Sequence, residues 1–221
     1  MTAIPDSIQI LCEIVGATNV RPHPDIKSVS AVTTSFLLGD VRPASTFVKV
    51  RHEHSSTKRK HDVHVTKTIL DNNDPIWAAD TGSLFLLSLS RDDFALGRGN
   101  RSVSSIVFEL YDKDNLLGAT AKIGKVRLSS RKLAKILTER SEKRIEFEID
   151  NSIFLANSEE EDRDESDQTD ENALLRTKLA LRFRIATKQD VRFVENLRKG
   201  ANQYLDDDEG YTVDNQAKEN I

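Results

Sequence analysis

A cluster of basic side chains between residues 49 and 67 has the chemistry to bind an anionic surface. Its members are Lys49, Arg51, Lys58, Arg59, Lys60, His61 and Lys67. Each Lys or Arg close to an anionic lipid leaflet contributes about 1 kcal/mol of attraction, so about four or five of them with one shallow apolar anchor can hold a protein there reversibly. A solvated strand edge, or a flexible hairpin tip at residues 58–60, is the alternative interpretation. Nucleic acid is not expected as a partner, because no aromatic residues alternate with these basic residues to stack on nucleotides.

Four histidines within thirteen positions of the same region raise the question of a metal site. They are His52, His54, His61 and His64. Zinc is conceivable, but the regular spacings of zinc ligands are missing, so surface histidines in a basic hairpin are the favoured interpretation. We expect no zinc site from these residues.

No catalytic motif is recognisable in the sequence. Residues 118–126 superficially resemble a phosphate-binding loop, but they hold one residue too many between the glycines and a valine after the lysine. The Gly-x-Ser-x-Gly and His-Glu-x-x-His motifs are absent. The single cysteine, Cys12, is predicted on a buried strand face, and it excludes an internal disulfide. We therefore predict that this chain is not an enzyme.

The elements that must position these side chains are mostly strands. Apolar and polar residues alternate in short runs, which predicts strands at 7–15, 47–51, 84–89, 103–111, 121–128, 144–149 and 178–185. In the last run, Phe183 and Ile185 are expected to face inward together with two leucines, and two arginines face outward. This spacing of short strands is typical of an all-β sandwich. Residues 28–38 are either a further strand or an ordered loop.

Helices are predicted at two places. Residues 130–138 have the pattern for a turn or two, and residues 188–205 are predicted as a C-terminal amphipathic helix, clearest at 188–199, which Gly200 can end. Thr187 and Asp190 form a capping-box pattern at its start. Its apolar face holds Val191, Val194 and Leu197.

Charge is distributed unevenly along the chain. The formal net charge is -4, yet residues 159–171 contain nine acids and one base, and residues 206–221 contain six acids and one base. Like charges at this density repel and cannot bury a core, so we expect a disordered acidic loop at 158–172 and a disordered acidic tail at 206–221. The folded remainder, residues 5–187 with a long insertion at 21–45, is then a basic domain.

Four segments occur in an order that resembles one known family. They are residues 14–20 (Ile-Val-Gly-Ala-Thr-Asn-Val), 47–50 (Phe-Val-Lys-Val), 66–77 (ending Asn-Asp-Pro-Ile-Trp) and 108–114 (Phe-Glu-Leu-Tyr-Asp-Lys-Asp), the last followed by Ile123-Gly124. Together they resemble the C2 domain, the phospholipid-binding β-sandwich of protein kinase C, synaptotagmin and phospholipase C. The resemblance implies an all-β, eight-stranded antiparallel C2-like sandwich. Because the chain begins at the strand that carries Ala-x-Asn, the permuted topology of phospholipase C is expected, with Trp77 as a core plug.

The resemblance also bears on calcium. C2 domains bind calcium through five aspartate positions, and here Asp112 and Asp114 match two of them. Ser45 stands where another aspartate is expected, and Asn115 is at best a neutral substitute for the last. Asp25 or Asp40 could supply the first-loop ligand, but the long insertion prevents an assignment. Calcium needs six to eight oxygens, so we expect a degenerate site without tight binding, in which both aspartates are turn residues.

The basic cluster resembles the polybasic patch with which some C2 domains bind phosphoinositides. This implies lipid binding by Lys49, Arg51, Lys58, Arg59, Lys60 and Lys67. Leu116 at a loop tip, and residues 36–38, are candidates for membrane insertion. The acidic loop could compete with lipid for this surface, although a solvated loop is the simpler interpretation.

The resemblance therefore implies a cytoplasmic protein that binds anionic phospholipid membranes reversibly, with little or no dependence on calcium. No apolar run approaches the roughly 18 residues of a membrane span, and the start lacks the features of a signal peptide. Two alternatives remain open: a scaffold domain whose terminal helix binds a protein partner, and a regulatory module of a lipid-metabolising enzyme.

Overall fold

The computed structural model describes residues 7–23, 43–54, 59–94, 104–114, 118–149 and 176–207. Within them lie eight strands: β1 Ser7–Thr18, β2 Thr46–His54, β3 Arg59–Val65, β4 Leu84–Ser90, β5 Ser104–Lys113, β6 Thr120–Ser129, β7 Ile145–Glu148 and β8 Lys178–Ile185. The two α-helices are α1 Ser130–Glu139 and α2 Lys188–Asp207. Short 3-10 turns occupy Ala79–Thr81 and Arg91–Phe94. Residues 158–172, residues 24–42 of the predicted insertion and the tail from residue 208 lie outside the described residues.

The strands form two four-stranded sheets in the orders β4-β1-β8-β7 and β3-β2-β5-β6. Every neighbouring pair is antiparallel. The first strand lies between β4 and β8, as the phospholipase C type of topology requires. The predicted all-β, eight-stranded sandwich is confirmed.

The core lies between the two sheets and follows the alternation of each strand. Ile10, Cys12 and Ile14 of β1 are fully buried, as the sequence pattern predicts. In β5, Phe108 contributes a ring whose centroid is 6.4 Å from that of Phe85 and 6.1 Å from that of Phe183, both on the opposite sheet. Burying an aliphatic or aromatic side chain of this size stabilises the fold by about 1.5–3 kcal/mol, so these rings tie the sheets together.

The segment between β3 and β4, residues 66–83, closes one end of the sandwich, and we call it the closing segment. Ile69 bridges to Thr46 of β2, whereas Ile76 bridges to Gly16 of β1, so the segment spans both sheets. Trp77 is buried in the core, and its indole N–H donates to the carbonyl of Lys67 at 3.1 Å. The predicted role of Trp77 as a core plug is confirmed.

Gly16 occupies a position where a side chain does not fit. It lies at a register shift between β1 and β8, and a Cβ placed on it would lie 2.8 Å from the carbonyl oxygen of Pro75. The close approach of the closing segment to β1 therefore depends on glycine.

Three local predictions were wrong. Strand β3 was not among the predicted runs, because Arg59–Val65 is an edge strand with mostly polar residues and lacks the alternation of a half-buried strand. Ile185 is 60% exposed rather than inward-facing, because it is the last residue of β8 and lies beyond the inward-facing leucines and Phe183. Gly200 does not end α2, which continues to Asp207, since a glycine within a helix costs only about 1 kcal/mol.

The chain divides into two compact units at the bond between Ala186 and Thr187. The second begins with the predicted capping box: the Thr187 backbone N–H donates to the Asp190 carboxylate at 2.7 Å, and the Asp190 N–H donates to the Thr187 hydroxyl at 3.3 Å. Val194 is buried and Phe193 is exposed. Among the described residues, no helix has the length and apolar character to cross a membrane.

Candidate functional site

The outward surface of the sheet β3-β2-β5-β6 carries three of the six charged side chains predicted to bind lipid. Side chains alternate along each strand, so every second residue of β2, β5 and β6 points away from the core. We call this surface the charged face and define it by six bases and three acids: Lys49, Arg51, Lys60, Lys122, Lys125, Arg127, Glu53, Asp62 and Glu109. Its excess of bases gives it a net positive charge.

The structure describes both backbone and side chain for four of the six predicted lipid-binding residues. Lys49 and Arg51 are outward-facing on β2, and Lys60 is on β3, opposite Glu53. Lys67 follows β3 and is exposed, although it lies in the closing segment rather than on the sheet.

The other predicted contact residues fall on parts of the chain that are not described. Lys58 and Leu116 lie outside the described residues, and so do residues 36–38. The backbone of Arg59 is in β3, but its side chain is not described. Their proposed roles stay predictions.

Glu109 of β5 is a carboxylate at the centre of the charged face that the sequence reasoning missed. It is only 1% exposed. Arg51 donates to it at 2.5 Å, the Tyr111 hydroxyl donates at 3.0 Å, and the Lys122 ammonium lies 3.5 Å away. Burial and the Glu109 charge both raise the pKa of Tyr111.

Glu53 of β2 is the second missed carboxylate. It is 8% exposed, and it forms ion pairs with Arg127 of β6 and, at 3.5 Å, with Lys60 of β3. Burial raises the pKa of Glu53, but the charges of Arg127 and Lys60 outweigh it, so this pKa is below its usual value. Glu53 is therefore ionised at neutral pH and pairs with one cation from β3 and one from β6.

The two arginines of the charged face lie in one row across three strands. Arg51 and Arg127 flank Val107 of β5 in register. Val107 faces outward and is absent from the core cluster, yet it is only 1% exposed. The aliphatic stems of long side chains commonly cover such a residue while their charged heads reach outward. The arginine row is thus packed onto the sheet, with each guanidinium held by a carboxylate on another strand.

The predicted calcium ligands are buried at the end of the sandwich that the closing segment covers. The Asp112 carboxylate accepts the backbone N–H of His23 at 2.8 Å and that of Ser45 at 3.1 Å, and all three residues are buried. Asp114 is also buried, and its backbone N–H and carbonyl bond to Ala119 and Gly118. Asp112 therefore holds two loop segments to β5.

The ligands that would complete a calcium site are not in place among the described residues. The Ser45 hydroxyl donates to Asp71 at 3.1 Å. No group of three or more histidine, cysteine or acidic side chains is positioned to hold a metal ion within the described ranges. Asp25, Asp40 and Asn115 lie outside them.

The rings of His52 and His61 meet edge to face with centroids 5.0 Å apart, whereas His64 packs against another part of the core. His64 stacks on Phe85 with centroids 4.6 Å apart and bonds to the carbonyl of Gly82 at 2.6 Å. His52 is buried, and its Nε2 lies 2.5 Å from the Ser104 hydroxyl and 3.1 Å from the Asp93 carboxylate.

The His52 cluster contains the residue types of a hydrolase triad but not its geometry. In a triad, the serine and the aspartate contact different ring nitrogens, so that the histidine can take a proton from one side while it is oriented from the other. Here Ser104 and Asp93 share Nε2. The cluster instead links β2, β5 and the turn Arg91–Phe94, and burial lowers the pKa of His52.

No protein-family model and no curated protein matches this sequence. Similar solved structures include human GIVD cytosolic phospholipase A2, with 13% identity over 82% of this chain and 18% of that chain (TM-score 0.42). A structure of two C2 domains of Extended-Synaptotagmin 2 matches with 12% identity over 81% of this chain and 45% of that one (TM-score 0.46). S. officinalis PLC21 matches with 12% identity over 85% of this chain and 17% of that one (TM-score 0.42).

This chain thus spans less than a fifth of the phospholipase A2 chain that it matches. C2 domains are among the matches. Two antiparallel four-stranded sheets, with β1 between β4 and β8, give the described chain the C2-like sandwich of the phospholipase C type.

Proposed function

We propose that this protein is a peripheral membrane protein that binds anionic phospholipid through its charged face, with little or no dependence on calcium. It acts as a binding module rather than as an enzyme. The cytoplasmic leaflet is the expected location, because anionic lipids give that leaflet a negative surface potential.

The observation that carries the proposal is the excess of bases on one sheet surface. Six cations and three acids share the outward side of β3-β2-β5-β6. Lys60 is 60% exposed at its side chain and Arg127 is 53% exposed, so both reach solvent. Outward cations on one sheet surface can face a bilayer together, and an attraction of about 1 kcal/mol per cation gives reversible binding.

Independence of calcium is supported by the surroundings of Asp112. Its two carboxylate oxygens already accept backbone N–H groups, and Ser45 occupies the position where the family places another aspartate. Among the residues that the structure describes, a calcium ion would find too few carboxylates to match its charge.

The test is sedimentation with vesicles of phosphatidylcholine, alone or mixed with phosphatidylserine, in calcium and in EDTA. We expect binding only to the anionic vesicles, the same binding in both buffers, and weaker binding at high salt because surface charges are screened. Replacing Lys60 with glutamate should lower the partition coefficient by more than about tenfold, because the change of two charge units is worth about 2 kcal/mol.

A matched control replaces Arg176, an exposed base paired with Glu148 beside the other sheet, with glutamate. It changes the net charge in the same direction without touching the charged face. Equal loss of binding in both variants would show that net charge alone matters. Binding that ignores lipid charge altogether would refute the proposal.

A further inference from the structure

The acids of the charged face are not distributed like ordinary surface acids. Glu109 and Glu53 are 1% and 8% exposed, whereas Asp62 at the edge has a side chain that is 54% exposed. Both glutamates lie beneath cations that neighbouring strands contribute. An ionised carboxylate is rarely buried unless it is paired, and here each has more than one cation in contact.

Each glutamate pairs with an arginine on a different strand, so the hydrogen-bonded sheet fixes the positions of both partners. Arg51 of β2 reaches Glu109 of β5, and Arg127 of β6 reaches Glu53 of β2. The Arg127 guanidinium also donates to the Ser105 hydroxyl at 3.1 Å. Because the strands on both sides are hydrogen-bonded, these carboxylates cannot move away from the arginines as an exposed side chain could.

A carboxylate under each arginine offsets the attraction that the arginine exerts on an anion outside the protein. An exposed acid can rotate away from an approaching anionic surface, but a buried acid that is paired across strands keeps its position. The low pKa of Glu53 means that protonation does not remove this charge at neutral pH.

We propose that Glu53 and Glu109 are built-in counter-ions that limit the affinity of the charged face for anionic phospholipid and keep the binding reversible. This inference rests on the proposed membrane function. Glu53 and Glu109 do not attract anionic lipid, but their charges set how tightly the charged face binds it.

The test compares Glu53→Gln and Glu109→Gln with the native protein on vesicles of phosphatidylcholine and phosphatidylserine. Glutamine has nearly the same shape and keeps one acceptor oxygen, but its NH2 group cannot accept from the second partner, so each variant loses the charge and one of the two acceptors. Each variant should raise the partition coefficient about fivefold, and the double variant about twenty-fivefold, because one unit of charge near the leaflet is worth about 1 kcal/mol.

Glu148→Gln is the matched control. Glu148 pairs with Arg176 at 2.8 Å on the other sheet, so the substitution also breaks a Glu–Arg pair and adds one positive charge. The sheets of a sandwich pack about 10 Å apart, beyond the Debye length of about 8 Å at physiological salt. The control should therefore change the partition coefficient by less than about twofold.

Thermal unfolding of each variant shows whether the fold is retained. If Glu109→Gln does not fold, Glu53→Gln decides the question, since its carboxylate is closer to solvent. The inference is wrong if the folded glutamine variants bind no more tightly than Glu148→Gln while Lys60→Glu still weakens binding. If Lys60→Glu and lipid charge also have no effect, the proposed membrane function fails with it.

Discussion

Replacing Asp112 with alanine distinguishes two possible roles of this residue, a structural hydrogen-bond acceptor and a calcium ligand. In the native protein its carboxylate accepts two backbone N–H groups, from His23 and Ser45, and all three residues are buried. Alanine leaves both donors without an acceptor, and water has little access to replace it. An unsatisfied buried donor costs about 1–3 kcal/mol, so the loss should total about 3 kcal/mol.

The assay is urea and thermal unfolding of the native protein and the variant, each in calcium and in EDTA. For a chain of this length, about 3 kcal/mol corresponds to a fall in Tm of roughly 6–12 °C. We expect the same fall in both buffers. Asp74→Ala is the control: this exposed carboxylate also accepts one backbone N–H, from Asn19 at 2.9 Å, but water can take its place. Its cost should stay below about 1 kcal/mol.

A calcium ligand would behave in the opposite way. Calcium would then raise the Tm of the native protein, because a ligand that binds only the folded state stabilises it. Asp112→Ala would abolish that rise and would have little effect in EDTA. A loss in EDTA as small as that of Asp74→Ala would refute the structural role of Asp112, and a calcium-dependent rise in Tm that Asp112→Ala abolishes would show that Asp112 is a calcium ligand.

Three further predictions concern stability. Gly16→Ala should cost about 1–3 kcal/mol in urea unfolding, because its Cβ would lie 2.8 Å from the carbonyl oxygen of Pro75; a cost near zero would mean that the closing segment can shift. Trp77→Phe should cost about 1–3 kcal/mol by the same measurement, since the carbonyl of Lys67 loses its indole donor and a small gap is left. Burial lowers the pKa of His52 below the ordinary value of 6.5, so the unfolded chain takes up the proton first and stability should fall as the pH drops through 6.5; His52→Gln should flatten this part of the Tm profile, and an unchanged slope would contradict the assignment.

The strands were predictable because their signal is local. Strand β8 was predicted with its observed bounds, and β1 and β5 were correct to within a few residues, since alternation of apolar residues reports directly on a half-buried strand. The edge strand β3 has little apolar alternation, so only its hydrogen bonds to β2 reveal it. The predicted helix 188–205 agrees with α2 to within two residues, and Gly200 does not end it because a single glycine is a weak signal against a continuing helix.

The candidate site was only partly predictable. The basic residues Lys49, Arg51 and Lys60 were visible as a cluster because they are near one another in the sequence. Glu109 is 58 positions from Arg51, and Arg127 is 74 positions from Glu53. Nothing local marks such pairs, since outward-facing charged residues on strands look alike whether or not a partner lies across the sheet.

The sequence by itself determined the fold class, the buried faces of the strands and the positions of the basic residues, because each depends on residue type and short-range periodicity. Only the tertiary structure decided which charges neutralise one another. Register between β2, β5 and β6 buries Glu53 and Glu109 under arginines, and packing of the segments that follow β1 and precede β2 places two backbone N–H groups on Asp112. Electrostatic and hydrogen-bond energies depend on distances of a few ångströms between residues far apart in the chain, and those distances are created by strand pairing.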